Sequence, residues 1–246
     1  MRRFIVPQLN LGLETVTVAG DLHHHMTRVL RMKPGTRLIL ADGEGHEARG
    51  TIVEVGKESL TVELEGEELS AATEAGPRIT LYQGLPKGDK LELIIQKGTE
   101  LGVAAIVPFP ASRSVSRLDV ERGEAKITRW QRIASEAARQ SKRASIPRIA
   151  VAGSLAEVLR SATQPVKLLL WEEEGDNRLR SLLARLPLPE SIAVIVGPEG
   201  GLSEEEVRQA RESGFIPVSL GHRILRTETA GLALLAILQF HWGDMG

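Results

Sequence analysis

The chain has 246 residues, room for one large domain or two modest ones with a sizeable core. With 42% hydrophobic and 26% charged residues it reads as an ordinary soluble globular protein, and with no cysteine it has no disulfide, thiolate metal site or thiol nucleophile. The net charge of -1 hides a segregation: six Arg/Lys against two acids from Arg2 to Arg37, ten acids against two bases from Asp42 to Gly76, and ten bases against four acids from Ala111 to Arg148.

Residues 1–70 are expected to form a small β-barrel carrying one helix. "ETVTVAG", "TRLILADGEG", "EARGTIVEVG" and "ESLTVELEG" alternate or are rich in β-branched residues, and glycines close most of them. The helix is expected over His24–Met32, with Asp21 as its N-cap and Pro34-Gly35 as its stop. Adjacent His23, His24 and His25 point in different directions on a helix and have no carboxylate at ligand spacing, so no metal site is expected. The small-residue stretch to Pro77 reads as a joint over 71–77.

From Arg78 the pattern alternates strand and helix to the end of the chain. Strands are expected at "RITLYQGL", "VAAIVPF", "VKLLLWEE", "SIAVIVG" and "FIPVSLG". Helices are expected at "GDKLELIIQKGTELG", "RGEAKITRWQRIASEAARQSKR", "SLAEVLRSA", "NRLRSLLARL", "SEEEVRQARESG" and "TAGLALLAILQFHW". Such alternation indicates a parallel α/β sheet over 78–246, with ligands held at the carboxyl ends of its strands. The loops after Leu170, Val196 and Leu220 are therefore the places to look.

"VIVGPEGGLSEEE" (194–206) leaves a strand through glycines and enters a helix capped by Ser203 and Glu206. It fits neither the dinucleotide fingerprint nor the phosphate loop, and Glu204, Glu205 and Glu206 would compete with a phosphate for the helix end. A nucleoside without phosphates and with a positive charge, such as S-adenosylmethionine, is tolerated by that logic. A nicotinamide-dependent oxidoreductase is disfavoured by it. The acids also have a plain explanation in the helix dipole, and the polar loop from Arg223 to Thr229 can be read as surface with Thr229 as an N-cap.

"GPEGG" (197–201) and "LGHRILRTETA" (220–230), with "QKGTELGV" (96–103) and "HHMTRVLRM" (24–32), resemble the RsmE family over essentially the whole chain and in family order. These are the 16S ribosomal RNA (uracil-1498-N3)-methyltransferases of the SPOUT class. The resemblance implies a PUA-like RNA-binding barrel followed by a knotted α/β methyltransferase domain, acting as a homodimer on 16S rRNA, which is expected within the small ribosomal subunit.

Carried onto this chain, the cofactor residues are Leu170, Trp171 and Glu172, then Gly197, Glu199, Gly200 and Gly201, then Leu220, Gly221, Arg223, Ile224, Leu225 and Thr229. The adenine is expected against Leu220, Ile224 and Leu225, and the ribose at the glycines with Glu199 accepting from its hydroxyls; Trp171 can equally be core. With no cysteine to add to a pyrimidine ring, direct transfer to a ring nitrogen is expected. Arg226 is the candidate cation for the uracil anion and Glu228 its orienting partner or the proton acceptor.

RNA contacts are expected at Arg3, His25, Arg28, Arg31, Lys33, Lys87, Arg113, Arg139 and Arg143, although basic blocks also form solvated helix faces. The final helix carries Leu232, Leu234, Leu235, Ile237, Leu238 and Phe240 and must be covered, by the core or, as the resemblance implies, by a second copy. No leader or membrane span is read, and the chain is expected in the cytoplasm. A related enzyme acting on tRNA or a ribose 2′-hydroxyl, and a non-catalytic RNA-binding assembly factor, are the alternative functions.

Overall fold

The computed structural model describes residues 1–6, 9–10, 12–70, 76–114, 123–174 and 179–245. It divides into two units, Met1–Thr73 with Ala138–Ile146, and Glu74–Ala137 with Pro147–Gly246. Most of the joint expected at 71–77 falls outside the described residues, as do Arg117 and Arg122 of the basic block and the first two residues of the helix expected from Asn177.

In the first unit, β1 (Arg2–Ile5), β2 (Thr15–Ala19), β3 (Arg37–Ala41), β4 (His46–Val55) and β5 (Ser59–Ser70) form one sheet in the order β1-β3-β4-β5-β2. All neighbours are antiparallel except β1 and β3. Strict alternation along β2 turns Val16 and Val18 inward, where they meet Phe4, Leu38, Leu40 and Ile52. The β4–β5 register shifts twice, at Ala48/Gly50 and at Ile52/Glu54, and such bulges bend a sheet around its core. Gly50 leaves no room for a side chain against β5: a Cβ there would lie 2.5 Å from a Val62 methyl.

The helix of this unit is displaced from its expected position. It runs as α1 (Gly20–His24) into a π-helical turn over His25–Val29, four residues ahead of the expected start. Ala19 holds the cap position, and Asp21 lies inside the first turn with no capping bond. Burial decides the placement: Met26 is fully buried, and the buried His23 ring sets Nε2 3.2 Å from the Gly56 carbonyl. The helix ends early because the Leu30 N–H closes onto the His25 carbonyl and Arg31 turns to φ 52°.

The second unit is built on a six-stranded parallel sheet. Its strands are β6 (Arg78–Gly84), β7 (Ala105–Phe109), β8 (Arg148–Ile149), β9 (Val166–Leu170), β10 (Ser191–Val196) and β11 (Ile216–Val218), in the order β11-β9-β10-β6-β7-β8. The helices are α2 (Lys90–Glu100), α3 (Gly123–Ser141), α4 (Leu155–Ser161), α5 (Leu179–Leu183), α6 (Glu204–Glu212) and α7 (Thr227–Trp242). The last turn of α3 is counted with the first unit.

The chain lays down β6, β7 and β8 towards one edge and then returns to the other side of β6 for β9, β10 and β11. This change of direction makes a crevice at the carboxyl ends of β10 and its neighbours. β9 and β11 stop at Leu170 and Val218, short of the expected 173 and 221, because both chains turn there into the loops that line the crevice. α7 starts at Thr227, two residues earlier than expected. Among the described residues, no helix is long and apolar enough to cross a membrane.

Candidate active site

At the carboxyl ends of β9, β10 and β11 lies a cavity of about 1300 Å³. Its floor is apolar, made by Leu170, Val196, Leu202, Val218, Leu220 and Leu225. All three loops singled out in the sequence border it: Leu170, Trp171 and Glu172 from the first, Gly197, Glu199 and Gly201 from the second, and Leu220, Gly221, Arg223, Ile224, Leu225 and Arg226 from the third. Gly200, Glu228 and Thr229 do not line it.

The glycine turn is held tightly from below. A Cβ on Gly84 would lie 2.6 Å from Pro198 Cδ, so the end of β6 touches the turn directly. A Cβ on Gly197 would lie 3.1 Å from the Gly201 carbonyl carbon and the Leu202 nitrogen. Gly201 has φ +67°, a conformation that favours glycine. Gly200 is packed against Arg113, whose Nη1 donates to the Gly200 carbonyl at 3.2 Å.

The acids of the turn are placed differently from the sequence expectation. Glu206 closes the capping box with Ser203 and also accepts from the Ser112 N–H and hydroxyl at 2.8 and 2.7 Å. Burial pushes its carboxyl up, but these donors outweigh that and leave it below the usual carboxylate range. Glu205 is held down to about 2 by its hydrogen bonds from Arg208 and Gln209. None of Glu204, Glu205 and Glu206 lines the cavity. The carboxylates that do are Glu172, Glu173, Glu174 and Glu199, accompanied by Lys90, Arg113, Arg180, Arg223 and Arg226. The rim is therefore mixed rather than acidic. What stands against a phosphate is the capping box, which already occupies the N–H groups of Ser203 and Glu206.

Lys90 is a site residue that the sequence reading missed. Its ammonium lies 2.9 Å from Glu199 and 3.3 Å from Glu228, joining the start of α2, the glycine turn and the start of α7. Glu199 also accepts from the Lys87 N–H at 3.0 Å. Burial pushes the Glu199 carboxyl up, and Lys90 together with the backbone donors brings it below its ordinary value; Glu199 in turn holds the Lys90 ammonium above its own. Glu228 is thus engaged with Lys90 rather than with Arg226, which is exposed at the N-cap of α7. Only the position of Lys90 at a helix start beside a strand end could have signalled its part.

Trp171 serves both expected parts: it packs on the core of the sheet and lines the cavity. The Arg211 guanidinium lies 5.4 Å from its ring centroid and bonds the buried Glu174 at 3.0 Å, which fixes the loop after β9 onto α6.

The basic residues sort into two groups. Arg28, Arg31, Lys33, Lys87, Arg113 and Arg139 are exposed, and His25 is half-buried. Arg3 instead pairs with the almost fully buried Glu47, its Nε 2.5 Å from Oε1 and its Nη2 donating to Oε2 at 3.1 Å, and its Nη1 donates to the Lys142 carbonyl. Arg143 is buried and donates to the Ser145 hydroxyl at 3.0 Å. Both arginines are thus engaged within the first unit rather than presented to solvent.

Family models match two segments: an RNA methyltransferase PUA domain over residues 18–65 and an RNA methyltransferase domain over residues 73–239. The chain is 36% identical to the ribosomal RNA small subunit methyltransferase E of Bacillus subtilis, over 98% of this chain and 96% of that one. It is similar to the crystal structure of the ribosomal RNA small subunit methyltransferase E of Neisseria gonorrhoeae bound to S-adenosyl methionine, with a TM-score of 0.85 and 34% identity over 100% of both chains. A methyltransferase of Legionella pneumophila described as putative, in complex with the same cofactor, has a TM-score of 0.84 and 34% identity over 98% of both chains.

Proposed function

The chain belongs to the ribosomal RNA small subunit methyltransferase E family, and from that premise we infer that it is an S-adenosylmethionine-dependent methyltransferase of 16S rRNA whose target is N3 of one uridine. The observation that carries the reading is the convergence of three strand-end loops on one apolar-floored cavity whose adjoining helix end is closed by the Ser203–Glu206 capping box.

The residues present fit this cofactor. Leu220, Ile224 and Leu225 offer an apolar surface for the adenine, and Gly201 and Gly221, both at positive φ, keep the backbone open for the ribose. Glu172 and Glu173 are exposed carboxylates on the lining, suited to a cationic sulfur. When bound, the cofactor supplies a methyl group on a sulfonium. For uracil N3 to accept it, the N3 proton must leave and the ring must carry negative charge onto its two carbonyl oxygens. Arg226, exposed at the cavity edge, is assigned to stabilise that charge, and Glu228, held by Lys90 just outside the lining, to take the proton through one intervening water. Holding both reactants in one cavity supplies much of the remaining rate enhancement.

We assign RNA contact to the exposed Arg28, Arg31, Lys33 and Arg139 of the first unit and to Lys87 and Arg113 of the second. The 16S rRNA is taken as part of the small ribosomal subunit, which places the reaction in the cytoplasm. The protein works as a homodimer: α7 buries Leu234, Leu235 and Leu238 but leaves Ile237 and Phe240 exposed, and both border the cavity. The cavity also exceeds the roughly 300–1,000 Å³ of a typical ligand site, consistent with a second copy completing its wall.

Calorimetry with S-adenosylmethionine and with ATP tests the cofactor assignment. Saturable heat with the first alone is expected; binding of ATP in its place, or no heat from the sulfonium compound, would overturn it.

A further inference from the structure

Gln83 is a fully buried amide near the end of an interior strand, paired in register with Val196 on one side and Pro108 on the other. An amide in that place loses its hydration and must recover it through internal partners, whereas a leucine would carry no such cost. The partners of its Nε2 are the Thr227 hydroxyl at 2.9 Å, the Gly84 carbonyl at 3.0 Å and, more distantly, the Gly197 carbonyl at 3.4 Å. Thr227, itself buried, passes the chain on: its hydroxyl donates to the Gly197 carbonyl at 2.6 Å.

Gly197 opens the glycine turn and Thr227 opens α7, directly after the Leu220–Arg226 loop. These are two of the three loops that border the cavity. The Gln83–Thr227–Gly197 chain is thus a cross-tie that links the start of α7 to the glycine turn from the neighbouring strand β6. Gln83 itself stays outside the cavity, as does its amide partner Gly84, whereas Thr227 and Gly197 border it.

We propose that Gln83 is a positioning residue for cofactor binding, acting through Thr227 to set the separation of the glycine turn from the Leu220–Arg226 loop. The inference rests on the cofactor assignment above and adds to it a residue outside the cavity that tunes affinity. Gln83→Leu keeps the volume and removes both donors, and Thr227→Val removes the hydroxyl while keeping the shape.

The test is calorimetry with S-adenosylmethionine on the wild-type protein, Gln83→Leu, Thr227→Val, Thr227→Ser and the double variant, alongside thermal unfolding of each. Both single losses are expected to weaken the cofactor about tenfold, the worth of one net hydrogen bond. KM for the cofactor should rise with it while KM for the RNA stays put. Because both groups act on one carbonyl, the double variant should be scarcely weaker than either single one, and Thr227→Ser should bind as wild type. An unchanged cofactor Kd in folded Gln83→Leu, even with a lowered Tm, would overturn the proposal, as would additive losses in the double variant. Should Gln83→Leu fail to fold, the Thr227 pair decides alone: equal affinity of Thr227→Val and Thr227→Ser overturns it. Failure of the wild-type protein to bind the cofactor is a different result and strikes the cofactor assignment itself.

Discussion

The Ser112 hydroxyl donates to Glu206 at 2.7 Å, across 94 positions of sequence, while the same carboxylate caps α6 through Ser203. One side chain thereby ties the Ala111–Ser114 loop, which brings Arg113 onto the glycine turn, to the helix that follows that turn. Glu206→Ala removes the capping box and the loop anchor together and is expected to cost about 1–3 kcal/mol of stability. The group's pH behaviour follows from its lowered folded value. Its contribution is present above the ordinary carboxylate range and fades as pH falls through the depressed folded value. Thermal unfolding at neutral and acid pH checks this: the Tm gap between wild type and Glu206→Ala should close on acidification.

Arg3 and Arg31 should behave oppositely, although both were expected to touch RNA. Arg3→Ala leaves the buried Glu47 without its cation, and breaking such a pair costs about 3–5 kcal/mol. Denaturant unfolding should show that loss, with RNA affinity changed only as far as folding is. Arg31→Ala should leave stability near wild type and weaken RNA binding at low salt.

Much of the fold was legible because apolar strands and amphipathic helices alternate from Arg78 onward, and burial on both faces of a parallel sheet demands that pattern. The two strands that went unread, β1 and β8, are four and two residues long, too short for a period to show. The N-terminal helix lies ahead of its expected span because His23 is buried against the Gly56 carbonyl and the chain turns off at Arg31, neither of which a capping residue at Asp21 signals. The three cavity loops could be read from glycine and strand-end position alone. The charges around them could not: Glu204, Glu205 and Glu206 read as a rim, yet two of them are bonded elsewhere and none lines the cavity. Lys90 and Gln83 act across long sequence separations, and only the assembled sheet brings them to Glu199 and Thr227.

Removing Lys90 should change the acid limb of stability. The Glu199 carboxyl lies below its ordinary value in the folded chain, largely because Lys90 offsets the effect of burial. The pair therefore stabilises the fold above the carboxylate range and ceases to do so as pH falls through the folded Glu199 value. The Tm difference between wild type and Lys90→Ala, followed from neutral pH downwards, should shrink towards zero; a difference independent of pH contradicts the ion-pair account.

RNA binding by the exposed basic residues should be steeply salt-dependent. Arg28→Ala, Arg31→Ala and Lys33→Ala should each lower the slope of log K against log salt by about one, a phosphate contact apiece. A binding constant that ignores salt contradicts their assignment.

Arg226→Ala should abolish methyl transfer while calorimetry still shows cofactor binding, since the guanidinium is exposed at the edge of the cavity. Equal loss of turnover and affinity would make the residue part of the pocket wall instead.

The most direct measurement is a map of methyl groups, by mass spectrometry, on 16S rRNA and tRNA from cells with and without this gene. Loss of an N3-methyl from one uridine of 16S rRNA, restored by adding the protein and S-adenosylmethionine to small subunits, is the expected result. An unchanged 16S map, with a methyl missing instead from tRNA or from a ribose 2′-hydroxyl, would contradict the account.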